Sequence, residues 1–99
     1  MKKEFVQNLF DVKGKVIVVT GASGALGQAL CYGYGFAGAK LVVNGRKEES
    51  LKAMCHDMKS QGIECTYFVG DPAVEESVKG LMAKAVEVYG EINVLVAAA

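Results

Sequence analysis

The sequence predicts an α/β domain, in which a parallel β-sheet carries helices on both faces. From residue 15 onward, short apolar runs alternate with longer segments of helical periodicity. The first two apolar runs are continuous and rich in β-branched residues, which is typical of strands covered on both faces. Parallel strands need crossover connections, so this alternation predicts right-handed βαβ units rather than hairpins.

Four segments are predicted as strands, at 15–20, 40–44, 64–69 and 92–97. The first two read "KVIVVT" and "KLVVN", and we expect both to be buried on both faces. The last reads "INVLVA" and contains neither a charge nor a proline. We expect it to form an unprotected edge, so that the isolated 99-residue chain self-associates, aggregates or requires a missing half.

Three segments between the strands are predicted as helices. Residues 24–38 are apolar nearly all round, which predicts a helix buried on more than one side. Residues 47–62 and 71–90 are amphipathic. Gly62 is expected to close the earlier helix as its C′ residue, and Asp71 and Pro72 are expected as the N-cap and first residue of the later helix. The apolar stripes are Leu51, Met54, Cys55 and Met58 in one helix and Val74, Val78, Leu81, Ala85 and Val88 in the other.

Composition and charge narrow the class of protein. The formal net charge is zero, so we predict neither a nucleic-acid partner nor a membrane surface. The three cysteines, Cys31, Cys55 and Cys65, have neither CxxC nor zinc-ligand spacing, which favours reduced thiols in a cytoplasmic protein. We expect one domain over residues 1–99, with a lead-in at 1–14 and no metal site.

The stretch "VVTGASGALG" places three glycines, Gly21, Gly24 and Gly27, where the first strand turns into the first helix. A turn of this kind needs backbone angles or close approaches that a Cβ would obstruct, and the helix behind it presents free N–H groups to a phosphate. Strand, turn, helix and second strand together predict a Rossmann-type dinucleotide-binding unit. The alternative is a tight turn with close helix–sheet packing, which explains Gly27 but poorly explains the other two. For this chain we therefore expect one Rossmann-type half, with the element order βαβαβαβ and the strand order 3-2-1-4.

These residues resemble the short-chain dehydrogenase/reductase family, and the resemblance runs from about Leu9 to Ala99. The family pattern TGxxxGxG corresponds to "TGASGALG" here, with Gly21 and Gly27 at the first and last glycines. Ala25 stands at the middle glycine, while Gly24 supplies a glycine one position earlier. The resulting GxxGxxG is similar to the extended, epimerase-like branch of the superfamily.

The end of the second strand, "VVNGRKEE", bears on the choice of cofactor. Gly45 stands where sites for NAD usually carry an acid, and Arg46 follows it. A strand end with no carboxylate at that position, followed by an arginine that can bind a phosphate bidentately, favours NADP(H) over NAD(H). The alternative is that Arg46 and Lys47 are solvated loop charges, and for Lys47 we prefer this interpretation. By resemblance, Asp71 contacts the adenine.

The resemblance implies a set of cofactor-binding residues and no catalytic residue on this chain. The family's catalytic YxxxK is absent, because no lysine lies four residues after any of the four tyrosines. The last strand, "NVLVAAA", departs from the family's "DVLVNNAG" at Asn93 and at two alanines beside the cofactor. The predicted cofactor-binding residues are Gly21, Ser23, Gly24, Ala25, Leu26, Gly27, Asn44, Gly45, Arg46, Asp71, Ala97 and Ala98.

The resulting hypothesis is the N-terminal, cofactor-binding half of an NADP-dependent oxidoreductase that interconverts a carbonyl and a secondary alcohol. The opening "NLFDVKGKVIVVTGAS" is similar to family members acting on sugar acids and polyols. The expected partners are the dinucleotide, a small-molecule substrate and further copies of the same chain. The alternative hypothesis is a non-catalytic nucleotide-binding or assembly module.

Overall fold

A computed structural model describes residues 11–98 and shows a four-stranded, entirely parallel sheet with helices on both faces. Residues 1–10 of the predicted lead-in, and Ala99, lie outside the described residues. Each predicted element is present, with ends moved by at most four residues. In chain order these are β1 (Val16–Thr20), α1 (Ala25–Phe36), β2 (Lys40–Gly45), α2 (Glu48–Ser60), β3 (Cys65–Val69), α3 (Glu75–Tyr89) and β4 (Val94–Ala97).

The strand order is β3-β2-β1-β4, which confirms the predicted fold class. Alternate residues of β1 point to opposite faces: Ile17 joins a core under α1 and α2, whereas Val18 joins a smaller core under α3. Among the described residues, β4 pairs only with β1 and exposes Val94 and Leu95. The predicted apolar edge is therefore present, and self-association through it stays a prediction.

The predicted apolar face of α2 is confirmed, since all four of its residues are buried. The helix ends as the sequence predicts, because Gly62 adopts a left-handed conformation with φ of 81°. Its N–H donates to the Lys59 carbonyl at 3.1 Å, and the Ile63 N–H donates to the Met58 carbonyl at 3.0 Å. This pair of bonds is a Schellman motif, and its glycine avoids the strain that a side chain would bring.

The predicted start of α3 is wrong, because the helix begins at Glu75 and not at Pro72. Asp71 Oδ1 instead accepts the Ala73 N–H at 2.9 Å, and the Val74 N–H donates to the Asp71 carbonyl at 3.0 Å. These bonds close a separate turn, and Val74, in extended conformation, is the N-cap. The Asp71 carboxylate thus accepts a hydrogen bond from the Ala73 N–H in this turn and is not the N-cap of α3.

The apolar stripe of α3 is narrower than predicted. Leu81 and Ala85 are buried, but Val74 and Val88 are exposed. Val74 lies before the helix, and at the far end Tyr89 takes the place expected of Val88. Its hydroxyl donates to the Leu41 carbonyl at 3.3 Å, so a polar tip anchors the helix end to β2.

Helix α1 differs from its prediction, because within residues 11–98 only one of its sides is covered. That side carries Gly27, Cys31 and Gly35, whereas Leu26 and Phe36 are exposed. A Cβ on Gly35 would lie 2.7 Å from the Ile63 side chain, so this glycine permits close packing. None of the helices within the described range is both long and apolar enough to cross a bilayer.

Candidate functional site

A cleft of about 440 Å³ opens at the carboxyl ends of β1 and β2. In open parallel sheets, ligands bind outside the carboxyl ends of the strands, next to the central strand on whose two sides the later strands are added. Here β1 is that strand, with β2 on one side and β4 on the other. The lining residues are Thr20, Gly21, Ser23, Gly24, Gly45, Arg46, Lys47, Ser50 and Pro72.

Two of the three glycines are explained by the protein fold alone. Gly21 has φ of 67°, a left-handed conformation that strains residues with a side chain. A Cβ on Gly27 would lie 2.2 Å from the Gly21 carbonyl oxygen, so α1 packs directly on the turn. The packing alternative therefore accounts for Gly21 as well as Gly27, which is more than the sequence analysis allowed it.

Gly24 is different, since neither conformation nor packing requires a glycine there. Its φ is −73°, and a Cβ would meet only the Gly21 carbonyl oxygen, at an ordinary 3.6 Å. It is the N-cap of α1, where no side chain caps the helix and no acid stands in the first turn. The first-turn N–H groups, including those of Ala25 and Leu26, thus form a positive end that suits a phosphate.

At the end of β2, Gly45 and Arg46 reach the cleft in different ways. Gly45 is buried, and a Cβ there would lie 3.3 Å from Leu51 Cδ2 and 3.4 Å from Ser23 Oγ. Arg46 is exposed, and its Nη2 lies 3.4 Å from Asp71 Oδ2. The ion pair keeps the Arg46 guanidinium at the rim of the cleft. Exposed pairs of this kind contribute little to the free energy of unfolding.

Asp71 reaches the site from the turn after β3. One carboxylate oxygen accepts the Ala73 N–H, and the other pairs with Arg46. The side chain does not line the cleft. Its predicted contact with adenine stays a prediction, and the geometry shows that such a contact competes with the arginine for the same carboxylate.

Asn44 lies beneath the cleft and holds two strands together. Its side chain is buried, and Nδ2 donates to the Phe68 carbonyl at 2.8 Å and to the Gly70 carbonyl at 3.2 Å. Its backbone carbonyl accepts the Ala22 N–H at 3.0 Å, which ties the glycine turn to β2. Asn44 thus positions the residues that line the cleft, and its predicted direct contact with a cofactor stays a prediction.

The end of β4 contributes backbone and no polar side chain. Ala97 is exposed and pairs with Thr20, and the buried Ala98 donates its N–H to the Thr20 carbonyl at 3.0 Å. Neither alanine lines the cleft. At the opposite end of β4, Asn93 Oδ1 accepts the Val16 N–H at 2.7 Å. Asn93, which differs from the family acid, therefore still joins the start of β4 to β1.

Four of the lining residues were not among the predicted cofactor-binding residues: Thr20, Lys47, Ser50 and Pro72. Three of them directly adjoin predicted site residues, so their positions next to strand ends were a usable signal. Ser50 is the third residue of α2 and reaches the cleft because the start of that helix lies over the end of β2. No linear spacing indicates that placement.

Two tyrosines of the described residues, Tyr32 and Tyr89, have raised pKa values. The Tyr32 hydroxyl donates to Asp57, and this hydrogen bond, with burial, raises the pKa of Tyr32 to about 12. Burial also raises the pKa of Tyr89 above its ordinary value. A tyrosine that exchanges protons near neutral pH needs a lowered pKa, so neither Tyr32 nor Tyr89 is suited to that exchange.

Comparison with known families and curated proteins agrees with the resemblance. A family model described as short chain dehydrogenase matches residues 15–99. A 2-dehydro-3-deoxy-D-gluconate 5-dehydrogenase from Formosa agariphila is 34% identical over 90 residues, which cover 90% of this chain and 34% of the relative. A glucose 1-dehydrogenase from Gluconobacter oxydans is 38% identical over 84 residues, or 84% of this chain and 32% of the relative. The chain thus spans about a third of the length of these relatives.

Solved structures resemble the fold closely. A short-chain dehydrogenase/reductase from Burkholderia phymatum in complex with NAD gives a TM-score of 0.83 at 29% identity, covering 87% of this chain and 31% of that one. An L-sorbose reductase from Gluconobacter frateurii, complexed with NADPH and L-sorbose, gives 0.81 at 27% identity, covering 87% and 34%. The two neighbours hold different dinucleotides, so the likeness alone does not decide between them.

Proposed function

The chain belongs to the short-chain dehydrogenase family, and from this we propose that it is the NADP(H)-binding part of an oxidoreductase interconverting a carbonyl and a secondary alcohol. The bound dinucleotide supplies or accepts the hydride. The observation that carries the proposal is the rim of the cleft, where Arg46 follows a glycine instead of an acid. In this proposal residues 1–99 form one domain of a longer, cytoplasmic and homo-oligomeric enzyme.

The described residues fit a dinucleotide in two places. The uncapped first turn of α1 suits the pyrophosphate, and the free space at Gly24 lets a phosphate approach the N–H groups. After the end of the neighbouring strand β2, Arg46 suits the 2′-phosphate of NADP(H), since a guanidinium binds phosphate bidentately. Any side chain at Gly45 would crowd Leu51 and Ser23, which disfavours the carboxylate that NAD-type sites place there.

The substrate class rests on the relatives. Two curated relatives are named for dehydrogenation of a sugar acid and of glucose, and one structural neighbour is a sorbose reductase. We propose a polyhydroxylated sugar or sugar acid for the full-length protein. The tyrosine and lysine of the family's catalytic YxxxK are proposed to lie in the part of the relatives' length that this chain does not span.

Titration calorimetry of the 99-residue chain with NADP⁺ and NAD⁺ tests the cofactor assignment. We expect tighter binding of NADP⁺, and we expect Arg46→Ala to remove about 1.5–3 kcal/mol of that preference, as for a lost charge-assisted contact. Lys52→Ala is the control, because it removes an exposed positive charge that does not line the cleft and should leave the ratio of affinities nearly unchanged. Equal affinities of the unmutated chain for both cofactors would overturn the assignment.

A further inference from the structure

Two buried cysteines outside the cleft lie with their sulfur atoms side by side. Cys55 belongs to the buried face of α2, and Cys65 is the first residue of β3. Their Sγ atoms are 2.7 Å apart, and both residues are 3% exposed. A disulfide has a sulfur separation near 2.05 Å, so the bond requires the two atoms to move together by about 0.7 Å.

We propose that Cys55 and Cys65 form a redox-active dithiol, which a hydroperoxide converts reversibly into a disulfide joining α2 to β3. The Cys55 thiolate attacks one peroxide oxygen, the O–O bond breaks, and the products are a Cys55 sulfenic acid and water or an alcohol. Cys65 sulfur then attacks the Cys55 sulfur, the S–O bond breaks, and water leaves. Two electrons pass from the sulfurs to the peroxide, and both thiol protons end in the oxygen products.

The surroundings give the two thiols unequal roles. A hydrogen bond from Cys65 lowers the pKa of the Cys55 thiol in spite of its burial, and the Lys59 charge acts in the same direction. The same hydrogen bond, together with burial, raises the pKa of Cys65. Cys55 is therefore the nucleophile towards the peroxide, and Cys65 is the thiol that resolves the sulfenic acid.

Access comes from a second cleft, of about 500 Å³, at the amino end of β3. Cys65 lines it together with Lys59, Glu64 and Tyr89, whereas Cys55 lies one sulfur contact behind, with its Sγ 2.7 Å from Cys65 Sγ. The cleft is on the opposite end of the sheet from Arg46 and shares no lining residue with the cofactor site. The disulfide forms there without touching the residues proposed to bind the dinucleotide.

The third cysteine serves as an internal reference. Cys31 belongs to α1 and is buried in the same core, where burial raises the pKa of its thiol to about 12. No sulfur contact of Cys31 is found in the described range. A thiol with so high a pKa is almost entirely protonated near neutral pH and reacts slowly with peroxides.

Peptide mapping tests the proposal, because trypsin separates the three cysteines into peptides 16–40, 53–59 and 60–79. The folded 99-residue chain is treated with limiting hydrogen peroxide, then with catalase, and is alkylated with iodoacetamide in denaturant. We expect peptides 53–59 and 60–79 to be linked, with a loss of two hydrogens, and peptide 16–40 to be alkylated. Dithiothreitol before alkylation should restore three alkylated peptides.

The variants and a denatured sample make the test specific. Cys31→Ser should keep the link, whereas Cys55→Ser and Cys65→Ser should abolish it. In urea, all three pairwise links should form. The proposal is wrong if the folded chain gives the same mixture as the urea sample, or if peroxide leaves all three cysteines open to alkylation. The unmutated chain and Cys31→Ser decide this even where another variant fails to fold.

Discussion

The turn between β1 and α1 tolerates almost no side chain at Gly21 or Gly27. Beyond the end of β2, by contrast, the side chains that face the cleft are loosely held. Gly21 is left-handed, and α1 lies on its carbonyl at a distance that excludes a Cβ on Gly27. Arg46 is 74% exposed at its side chain and is held by one ion pair to Asp71. The turn between β1 and α1 is thus fixed by the fold, whereas the residues beyond β2 can change their cofactor preference without a change of fold.

The largest effect is expected from breaking the turn between β1 and α1. Gly27→Ala should lower the free energy of unfolding by about 3 kcal/mol, because its Cβ would overlap the Gly21 carbonyl and Ala22 Cα. Chemical denaturation measures this loss. Gly24→Ala is the matched control, and it should change the free energy of unfolding by less than about 0.5 kcal/mol, since a weaker N-cap and a lower chain entropy offset each other. Equal losses in both variants would contradict the distinction between the two glycines.

A smaller effect separates phosphate approach from cofactor choice. Gly24→Ala should weaken binding of NADP⁺ and NAD⁺ by the same factor, about tenfold, because a methyl group at the mouth of the cleft obstructs the pyrophosphate that both carry. Calorimetric titration of the two cofactors gives both constants and their ratio. A change confined to one cofactor, or no change in either, would show that the pyrophosphate does not approach α1 here.

The smallest effect concerns the hold on Arg46. Asp71→Asn should raise the ratio of NADP⁺ to NAD⁺ affinity by up to about fivefold, since an exposed ion pair contributes at most about 1 kcal/mol. Loss of an adenine contact would weaken both cofactors equally, so it cancels in this ratio of affinities. Glu75→Gln is the control, because it removes another exposed pair, with Lys79 at 3.4 Å, that does not line the cleft. A lower ratio in Asp71→Asn would mean that the carboxylate assists the arginine instead of competing for it.

Much of the fold follows from local pattern, because each strand and helix has its own periodicity. The parallel order 3-2-1-4, the buried face of α2 and the left-handed Gly62 were all predicted from the sequence. The start of α3 was not, because Asp71 followed by Pro72 is equally typical of a helix start and of the turn that forms. Which donor the carboxylate reaches depends on the path of the chain after β3.

The site was predictable where it depends on the backbone and less so where it depends on neighbouring strands. Gly21 and Gly24, which line the cleft, follow from spacing within one βαβ unit. The pairing of Arg46 with Asp71 requires β3 beside β2, and the place of Ser50 requires the start of α2 to lie over the strand end. Such contacts between distant parts of the chain have no signature in a single sequence.

Phosphorus NMR of bound NADP⁺ tests the central claim most directly, namely that the rim beyond β2 binds the 2′-phosphate. In the unmutated chain we expect the 2′-phosphate resonance to shift on binding, and its pKa to fall below the ordinary value near 6, because the Arg46 cation stabilises the dianion. In Arg46→Ala both changes should disappear while the pyrophosphate resonances still shift. A 2′-phosphate resonance that stays at the position and pKa of free NADP⁺, while the pyrophosphate shifts, would contradict the claim.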